Sequence, residues 1–295
     1  MGKDIAEQFP EARSVFGTVD EALGVELSAL MWEGPESELT LTHNAQPAIL
    51  AHTLAVAAVV ESALSFKVAA GHSLGEYSAY QSAGSLELAD AARLVRKRGE
   101  LMLGAGQERS GTMTAVLGLE AGQVERLCQT VSDDNALVVA ANINAPDQTV
   151  ISGDPDAVRA AEVSCKEAGA RRLLPLKVSG AFHSPLMAPA EVGLRDELSR
   201  VRFCDPRFPI IANASGEPVT DADTARALLG AQLTSPVRWA QSMVSAAQQA
   251  GAGVRFVELG PGKVLSGLLR RIVPEAESIS LGKAADINRF LEEAG

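Results

Sequence analysis

The chain has few cysteines, and none of them is placed to bind zinc. Among 295 residues there are three, Cys128, Cys165 and Cys204, with no Cys-x-x-Cys pair and no zinc-ligand spacing. This pattern predicts neither a disulfide framework nor a metal site, and it is typical of a reducing compartment. The opening MGKDIAEQFPEAR is charged and lacks the apolar core of a signal peptide. We therefore expect a cytoplasmic protein.

Basic residues are also in deficit. The 26 lysines and arginines are outnumbered by 37 aspartates and glutamates, which gives a net charge of −11. A molecule of that charge repels polyanions, so we expect no nucleic-acid partner. Internal repeats and low-complexity segments are absent from the sequence. The hydrophobic content of 46% is ordinary for a globular protein, and the length allows one large domain or two unequal ones.

One long apolar run, PAILAHTLAVAAVVESAL at residues 47–64, needs to be weighed as a membrane span. It is rich in alanine and contains His52 and Glu61. A spanning helix needs about 20 strongly apolar residues. We interpret the run as a buried helix of an α/β core, and we expect no membrane association.

Helical patterns and short apolar runs alternate along most of the chain. Helices are predicted near residues 3–16, 18–30, 47–64, 74–82, 87–103 and 187–200, and buried strands at 67–70, 208–212 and 254–258. This alternation favours a parallel sheet covered by helices on both faces.

The middle of the chain has a different order of elements. The pattern predicts strand, helix, strand, strand, helix and strand at 112–118, 120–131, 137–144, 149–154, 155–169 and 171–177. This β-α-β-β-α-β order is that of a ferredoxin-like unit. We predict a large α/β domain of residues 1–110 and 179–295, with a small subdomain of residues 111–178 inserted in it. A cleft between the two would be a natural ligand site.

The stretch GHSLGEYSA at residues 71–79 contains the pattern Gly-x-Ser-x-Gly. The pattern describes a sharp strand-to-helix turn that exposes a serine, here Ser73, with glycines where a Cβ would collide. By itself the motif also suits a lipase or a thioesterase.

A serine hydroxyl needs a base to become a nucleophile, and the chain has four histidines. His52 lies inside the apolar run, and His43 stands before a helix start. His72 adjoins Ser73, but neighbours around a tight turn point in different directions. His183 lies in a polar loop directly after the last strand of the inserted unit, where the chain returns to the cleft. We therefore predict His183 as the base; the alternative from local features is a structural histidine in this loop.

A family resemblance rests on blocks spread over nearly the whole chain. QPA (46–48), GHSLGEYSA (71–79), RG (98–99), GAFHSPLM (180–187) and ELGPGKVLSGL (258–268) resemble, in order, malonyl-CoA:acyl-carrier-protein transacylases and the acyltransferase domains of fatty-acid and polyketide synthases. The resemblance implies an α/β-hydrolase-like parallel-sheet domain with an inserted ferredoxin-like βαββαβ subdomain. It also implies a monomer without a cofactor. The implied reaction moves malonyl from malonyl-CoA to the phosphopantetheine thiol of an acyl carrier protein.

The same resemblance assigns the main catalytic roles. Ser73 would be malonylated, and His183 would act first as base and then as acid. Arg98 would hold the malonyl carboxylate, since a planar guanidinium fork matches a carboxylate. Without the resemblance, Arg98 would be interpreted as a surface arginine of a helix, and Arg93 and Arg96 stand close by.

Further roles follow from the resemblance. The backbone carbonyl of Gln232 would orient the histidine, the N–H of Leu74 would bind the oxyanion, and Gln46 would lie near the acyl pocket. Phe182, directly before the histidine, would disfavour a branched methylmalonyl unit. A pocket that rejects one methyl group discriminates between the two acyl units by only about 1–3 kcal/mol.

The chain departs from the family pattern in one place. The family begins with a buried strand followed by Gly-Gln-Gly-Ser-Gln, a loop that gives a second oxyanion N–H, and neither the strand nor the loop occurs in these residues. We expect the segment to lie upstream in the reading frame; the alternatives are a truncated chain and true absence. Two other functions remain open at this point: a serine thioesterase or acyl hydrolase, which would not need Arg98, and an inactive carrier-protein-binding protein.

Overall fold

A computed structural model describes residues 1–294 of the chain. The helices are α1 (Lys3–Gln8), α2 (Pro10–Leu23), α3 (Leu27–Glu33), α4 (Glu36–Leu39), α5 (Thr42–Val60), α6 (Gly75–Ser82), α7 (Leu88–Glu108), α8 (Ala121–Val131), α9 (Pro155–Glu167), α10 (Ala188–Arg200), α11 (Ala222–Ala231), α12 (Trp239–Ala250), α13 (Val264–Ile272) and α14 (Ala284–Ala294). The strands are β1 (Ala69–Ala70), β2 (Thr112–Leu117), β3 (Val138–Ala145), β4 (Gln148–Gly153), β5 (Arg172–Pro175), β6 (Ile210–Ile211), β7 (Pro218–Val219), β8 (Arg255–Leu259) and β9 (Glu277–Leu281).

The first helices break at places that the sequence prediction missed. Two helices, over 3–16 and 18–30, were expected, whereas the structure has α1, α2 and α3. The first break falls at Phe9, which is extended because the residue before a proline is disfavoured in a helix. The second break falls at Gly24, whose φ of 65° ends α2 in the left-handed region.

The long apolar run forms the central helix of the large core. By length and composition alone α5 and the turn after it could cross a membrane, but 61% of the apolar window is buried inside the fold. Leu50, Val56 and Val60 are fully buried there, in the same cluster as side chains of α2 and α7. The predicted buried helix is present, and it begins earlier, at Thr42.

The strands of the large unit do not form the single parallel sheet that was predicted. β1 pairs with β6 in parallel, and β6 pairs with β7 in antiparallel orientation. β8 and β9 form a separate parallel pair. The segments that contain β1 and β8 line one cavity of about 630 Å³. The sheet is divided because no strand within residues 1–294 pairs with both β1 and β8.

Residues of the middle segment form a four-stranded sheet with its own core. The strand order is β3-β4-β2-β5, and every neighbouring pair is antiparallel. Val124 and Cys128 of α8 pack with Val158 and Cys165 of α9 in a buried cluster over the sheet. The outer edge of β3 is joined to the large unit, since the N–H of Val237 donates to Ala141 (2.8 Å).

Candidate active site

The serine motif forms a tight turn between β1 and α6. Ser73 has φ 52°, a conformation that few residues other than glycine adopt. A Cβ added to Gly71 would lie 1.9 Å from the carbonyl carbon of Gly75, so this glycine is required by close approach. A Cβ added to Gly75 would have no atom within 4 Å. The expected steric reason therefore holds for Gly71 and is wrong for Gly75.

Ser73, His183 and Gln232 form a chain of hydrogen bonds. The Ser73 Oγ lies 2.8 Å from His183 Nε2, and His183 Nδ1 lies 3.0 Å from the backbone oxygen of Gln232. A carbonyl oxygen only accepts, so Nδ1 carries the proton and Nε2 is left to accept from the hydroxyl. Burial, assisted by the nearby Arg98 charge, lowers the pKa of His183 to about 3. The imidazole is therefore neutral and able to take a proton at neutral pH.

The other three histidines lie elsewhere. His52 Nε2 is 3.1 Å from the carbonyl oxygen of Gly282. His72 Nε2 is 2.8 Å from Oδ1 of Asn144. His43 lies at the start of α5, where its Cα is 2.6 Å from the place of a Cβ on Gly99. Of the four, His183 is the histidine that contacts Ser73.

Arg98 brings a buried positive charge to the same place. Its side chain is on α7, and the residue is 1% exposed. Nη2 donates to Ser73 Oγ (2.9 Å) and to Oε1 of Gln232 (2.9 Å), and Nη1 donates to Oε1 of Gln46. Within residues 1–294 no carboxylate forms an ion pair with this guanidinium, and its Nε has no hydrogen-bond partner. An unpaired buried charge is unfavourable, so this geometry suits the binding of an anionic group.

The two neighbouring arginines have acidic partners on their own helix. Arg93 pairs with Asp90 (3.2 Å), and Arg96 pairs with Glu100 (3.0 Å). Neither contacts Ser73, so Arg98 is the arginine that the fold brings to the serine.

The remaining predicted residues lie around this centre at different distances. Gln46 is buried beside Arg98, and its Nε2 donates to the sulfur of Met102 (3.3 Å). The N–H of Leu74 follows Ser73 at the start of α6 and has no acceptor among residues 1–294. Phe182 is half-buried between the large core and the four-stranded sheet, directly before His183 in the chain.

Two buried polar residues of the site were missed in the sequence. Glu76 stands inside the serine motif itself, and Asn213 follows directly after β6. Both are fully buried and are hydrogen-bonded to the turn or to its partners. A charged residue at the start of a helix ordinarily faces solvent, so the proximity of Glu76 to Ser73 was the one signal available in the sequence.

Comparison with known proteins identifies the family. The protein-family model described as the acyl transferase domain matches residues 1–285 of this chain. The chain belongs to this family. The malonyl CoA-acyl carrier protein transacylase of Bacillus subtilis is 43% identical over 294 residues, which are 99% of this chain and 92% of that protein. The protein of the same name from Escherichia coli K12 is 39% identical over 295 residues, with 99% and 94% covered.

Solved structures agree with this membership. An acyl carrier protein S-malonyltransferase from Vibrio cholerae superposes on this acyltransferase with a TM-score of 0.93 and 39% identity, covering 98% of this chain and 94% of that one. A malonyl-transacylase described in complex with a type II PKS acyl-carrier protein gives a TM-score of 0.94 and 38% identity, with 99% and 94% covered. The expected family is therefore confirmed, and the chain is an acyltransferase.

Proposed function

We propose that this acyltransferase moves a malonyl group from malonyl-CoA to the phosphopantetheine thiol of an acyl carrier protein, through a malonyl ester on Ser73. The observation that carries the proposal is the buried guanidinium of Arg98, which lies 2.9 Å from the Ser73 hydroxyl. An acyl group that ends in a carboxylate would neutralise this charge, whereas a neutral acyl chain would leave it unpaired. The names of the relatives support the same substrate.

The first half of the reaction transfers malonyl to the enzyme. Ser73 Oγ gives its proton to His183 Nε2 and forms a bond to the thioester carbonyl carbon. The oxyanion of the tetrahedral intermediate lies at the N–H of Leu74, at the start of α6. Collapse of the intermediate breaks the carbon–sulfur bond, and His183 returns the proton to the leaving thiolate of coenzyme A.

The second half repeats the same chemistry with the other thiol. His183 takes the proton of the phosphopantetheine thiol, and the sulfur attacks the ester carbonyl on Ser73. The carbon–oxygen bond breaks, and His183 gives the proton back to Ser73. No cofactor enters this sequence, because both steps need only a nucleophile, a base and an oxyanion donor.

Three residues would support these steps. The Gln232 carbonyl would hold His183 in the tautomer that accepts at Nε2, as the 3.0 Å contact to Nδ1 suggests. Gln46, a partner of Arg98, would help to align the malonyl carboxylate. Phe182 would crowd a substituent on the α-carbon of the acyl unit; this role rests on the family resemblance alone.

The partner and the setting are part of the same proposal. The acyl carrier protein is favoured by the names of the relatives and by the solved complex of one of them with a carrier protein. We propose a monomer that works in the cytoplasm, without a membrane or nucleic acid. A net charge of −11 supports the last point.

We also propose the domain arrangement stated from the sequence. Residues 111–178 would be a ferredoxin-like subdomain inserted in an α/β-hydrolase-like domain of residues 1–110 and 179–295. The antiparallel order β3-β4-β2-β5 and the separate buried cluster support it. Among residues 1–294 neither the family's first strand nor its GQGSQ loop is present, and the segments that contain β1 and β8 line a cavity of about 630 Å³.

Incubation with radiolabelled malonyl-CoA, with and without phosphopantetheinylated carrier protein, tests the function. We expect stable label on Ser73 that moves to the carrier protein when it is added. Rapid release of free malonate would instead indicate a hydrolase, and a protein that takes up no label would be an inactive carrier-binding relative. Peptide mapping by mass spectrometry locates the ester.

A further inference from the structure

Glu76 is a fully buried carboxylate with no role in the proposed reaction. It lies on the first turn of α6, three residues after Ser73. No ion pair reaches it within residues 1–294, and one of its oxygens, Oε1, has no partner there. Oε2 accepts from Nε2 of Gln232 (2.7 Å) and from the backbone N–H of Asn213 (3.1 Å). Burial of a charged group is unfavourable because the group loses its hydration. The burial of Glu76 therefore needs an explanation, and its two contacts supply one.

The contact to Gln232 decides which way its amide group points. Nε2 donates to Glu76 and also to the backbone oxygen of Ser73 (2.9 Å). Oε1 is thereby turned toward Arg98, from which it accepts at 2.9 Å. A flipped amide would direct Nε2 at a guanidinium that can only donate, and Oε1 at two acceptors. The carboxylate of Glu76, together with the backbone oxygen of Ser73, therefore selects the orientation in which Gln232 Oε1 accepts from Arg98.

The same residue also supports the base through the backbone of Gln232. The main-chain oxygen of Gln232 accepts from Nδ1 of His183 (3.0 Å), while its side chain is held by Glu76. One residue thus carries contacts to His183, Arg98 and Ser73, and Glu76 anchors it.

The contact to Asn213 supports the nucleophile. Asn213 Oδ1 accepts from the N–H of Ser73 (2.7 Å), and its Nδ2 donates to the oxygen of Gly71 (2.7 Å). The amide group therefore clamps both sides of a turn whose serine has φ 52°. Such a backbone is unfavourable for a residue other than glycine, and it persists only when its surroundings enforce it. Glu76 holds the clamp by accepting from the backbone N–H of Asn213.

We propose that Glu76 is a positioning residue that sets Ser73, His183 and Arg98 relative to one another, through its hydrogen bonds to Gln232 and Asn213. It does not touch the reacting atoms itself. What the site needs from it is an acceptor oxygen at one fixed place. Burial raises the pKa of Glu76 to about 7, against the opposing effects of Gln232, Asn213 and Arg98. A role that depends on acceptor position is compatible with either protonation state.

Two substitutions separate position from charge. Glu76→Gln keeps the length and one acceptor oxygen that can serve both donors, but removes the charge. Glu76→Asp keeps the charge and withdraws the acceptor by one methylene group. Glu87→Asp, at an exposed glutamate directly before α7, is the matched control.

The first measurement is the rate at which a fluorophosphonate labels Ser73. This probe needs the serine and its base but not malonyl binding, so it is independent of the proposed substrate. We expect Glu76→Gln and Glu87→Asp to react at close to the wild-type rate. Glu76→Asp should be slower by about 10–100-fold, because small misplacements of reacting groups have effects of that size.

The second measurement is the ratio of kcat/KM for malonyl-CoA to that for acetyl-CoA, and this part rests on the proposed function. We expect the ratio to fall in Glu76→Asp and to remain at the wild-type value in Glu76→Gln. Gln232→Met, which loses the amide but keeps the backbone carbonyl, should lower the ratio on its own, even if Glu76→Asp fails to fold.

The outcomes are separable. Equal losses in Glu76→Gln and Glu76→Asp would mean that the charge is needed, and they would overturn the inference. Unchanged labelling in a folded Glu76→Asp would overturn it as well, as would an unchanged ratio in Gln232→Met. A wild-type enzyme that is labelled by the fluorophosphonate but not by malonyl-CoA would contradict the proposed function and leave the labelling test of Glu76 intact.

Discussion

Ser73 and His183 contact each other at 2.8 Å, and both have a positive φ, 52° and 55°. Within residues 1–294 they are the two non-glycine residues in that region. Each such conformation is unfavourable by about 1–3 kcal/mol, and it is found mostly at functional sites. The fold thus holds both partners against their local preference, one in the turn between β1 and α6 and the other in the loop before α10.

The first prediction concerns these two side chains. Ser73→Ala should abolish covalent malonylation, because Ser73 is the side-chain hydroxyl that is hydrogen-bonded to His183 in the residues described. His183→Ala should slow acylation by about 10³–10⁴-fold, as removal of the base does at other serine nucleophiles. Rapid-quench labelling with malonyl-CoA measures both. Label on the Ser73→Ala protein, or near-normal rates without His183, would contradict the assignments. Circular dichroism of both variants serves as the folding control.

The second prediction concerns the dependence of acylation on pH. The base must be neutral, and burial lowers the pKa of His183 to about 3. The acid limb of kcat/KM that belongs to His183 should therefore lie well below pH 6.5, the ordinary value. Unfolded His183 binds a proton that the native state excludes, so folding stability should fall as the pH drops below about 6.5.

A stopped-flow pH profile of acylation checks this expectation. Glu76, whose pKa burial raises to about 7, is the other group of the network that titrates nearby. The profile is therefore also recorded for Glu76→Gln. An acid limb near pH 6.5 that persists in this variant would show that His183 titrates normally.

The third prediction uses the two glycines of the serine motif as a matched pair. Gly71→Ala would place a Cβ 1.9 Å from backbone atoms of Gly75, whereas Gly75→Ala would place one in open space. The first change should therefore destabilise the protein by at least about 2 kcal/mol and lower activity, because the backbone of Gly75 cannot move away from the added methyl group without distorting the turn. The second should be close to neutral or slightly stabilising, because alanine is the better helix former. Urea denaturation compares the two, and equal losses of stability would refute the steric interpretation.

Much of this site was predictable because its signals are local. The turn at Ser73 is indicated by a motif of nine consecutive residues. His183 could be selected from four histidines by its position after the inserted unit. Arg98 was different: as a charged residue on a helix it would be interpreted as a surface arginine, although its spacing from Leu94, Val95 and Met102 puts it on the buried face. Only the family resemblance directed it inward. Its burial depends on α5 and on Gln232, which is 134 residues away along the chain.

The parts that the sequence did not predict depend on distant neighbours. Glu76 and Asn213 meet across 137 residues, and neither has a local pattern that marks it as buried. The division of the parallel sheet likewise follows from which strands find a partner, not from the strand patterns themselves. The break at Phe9 is the exception, since Pro10 signals it directly.

The last prediction concerns Arg98 and separates a malonyl transferase from an enzyme for neutral acyl groups. Arg98→Ala removes the buried charge that would bind the malonyl carboxylate, and the loss of one partner of such a pair costs about 2–5 kcal/mol. The kcat/KM for malonyl-CoA should fall by a corresponding factor of roughly 30 or more. Acetyl-CoA lacks the carboxylate, so its transfer should be unchanged or improved.

Two further variants make the result specific. Arg98→Lys should restore little malonyl transfer, because a single ammonium group cannot bind the malonyl carboxylate with two parallel hydrogen bonds while it also contacts Gln46 and Gln232. Arg93→Ala removes an exposed arginine five residues earlier on α7 and should change neither substrate. Steady-state kinetics with both thioesters provides the comparison. If Arg98→Ala weakened malonyl and acetyl transfer equally, the arginine would be supporting Ser73 and Gln232 structurally, and the carboxylate site would have to be sought elsewhere.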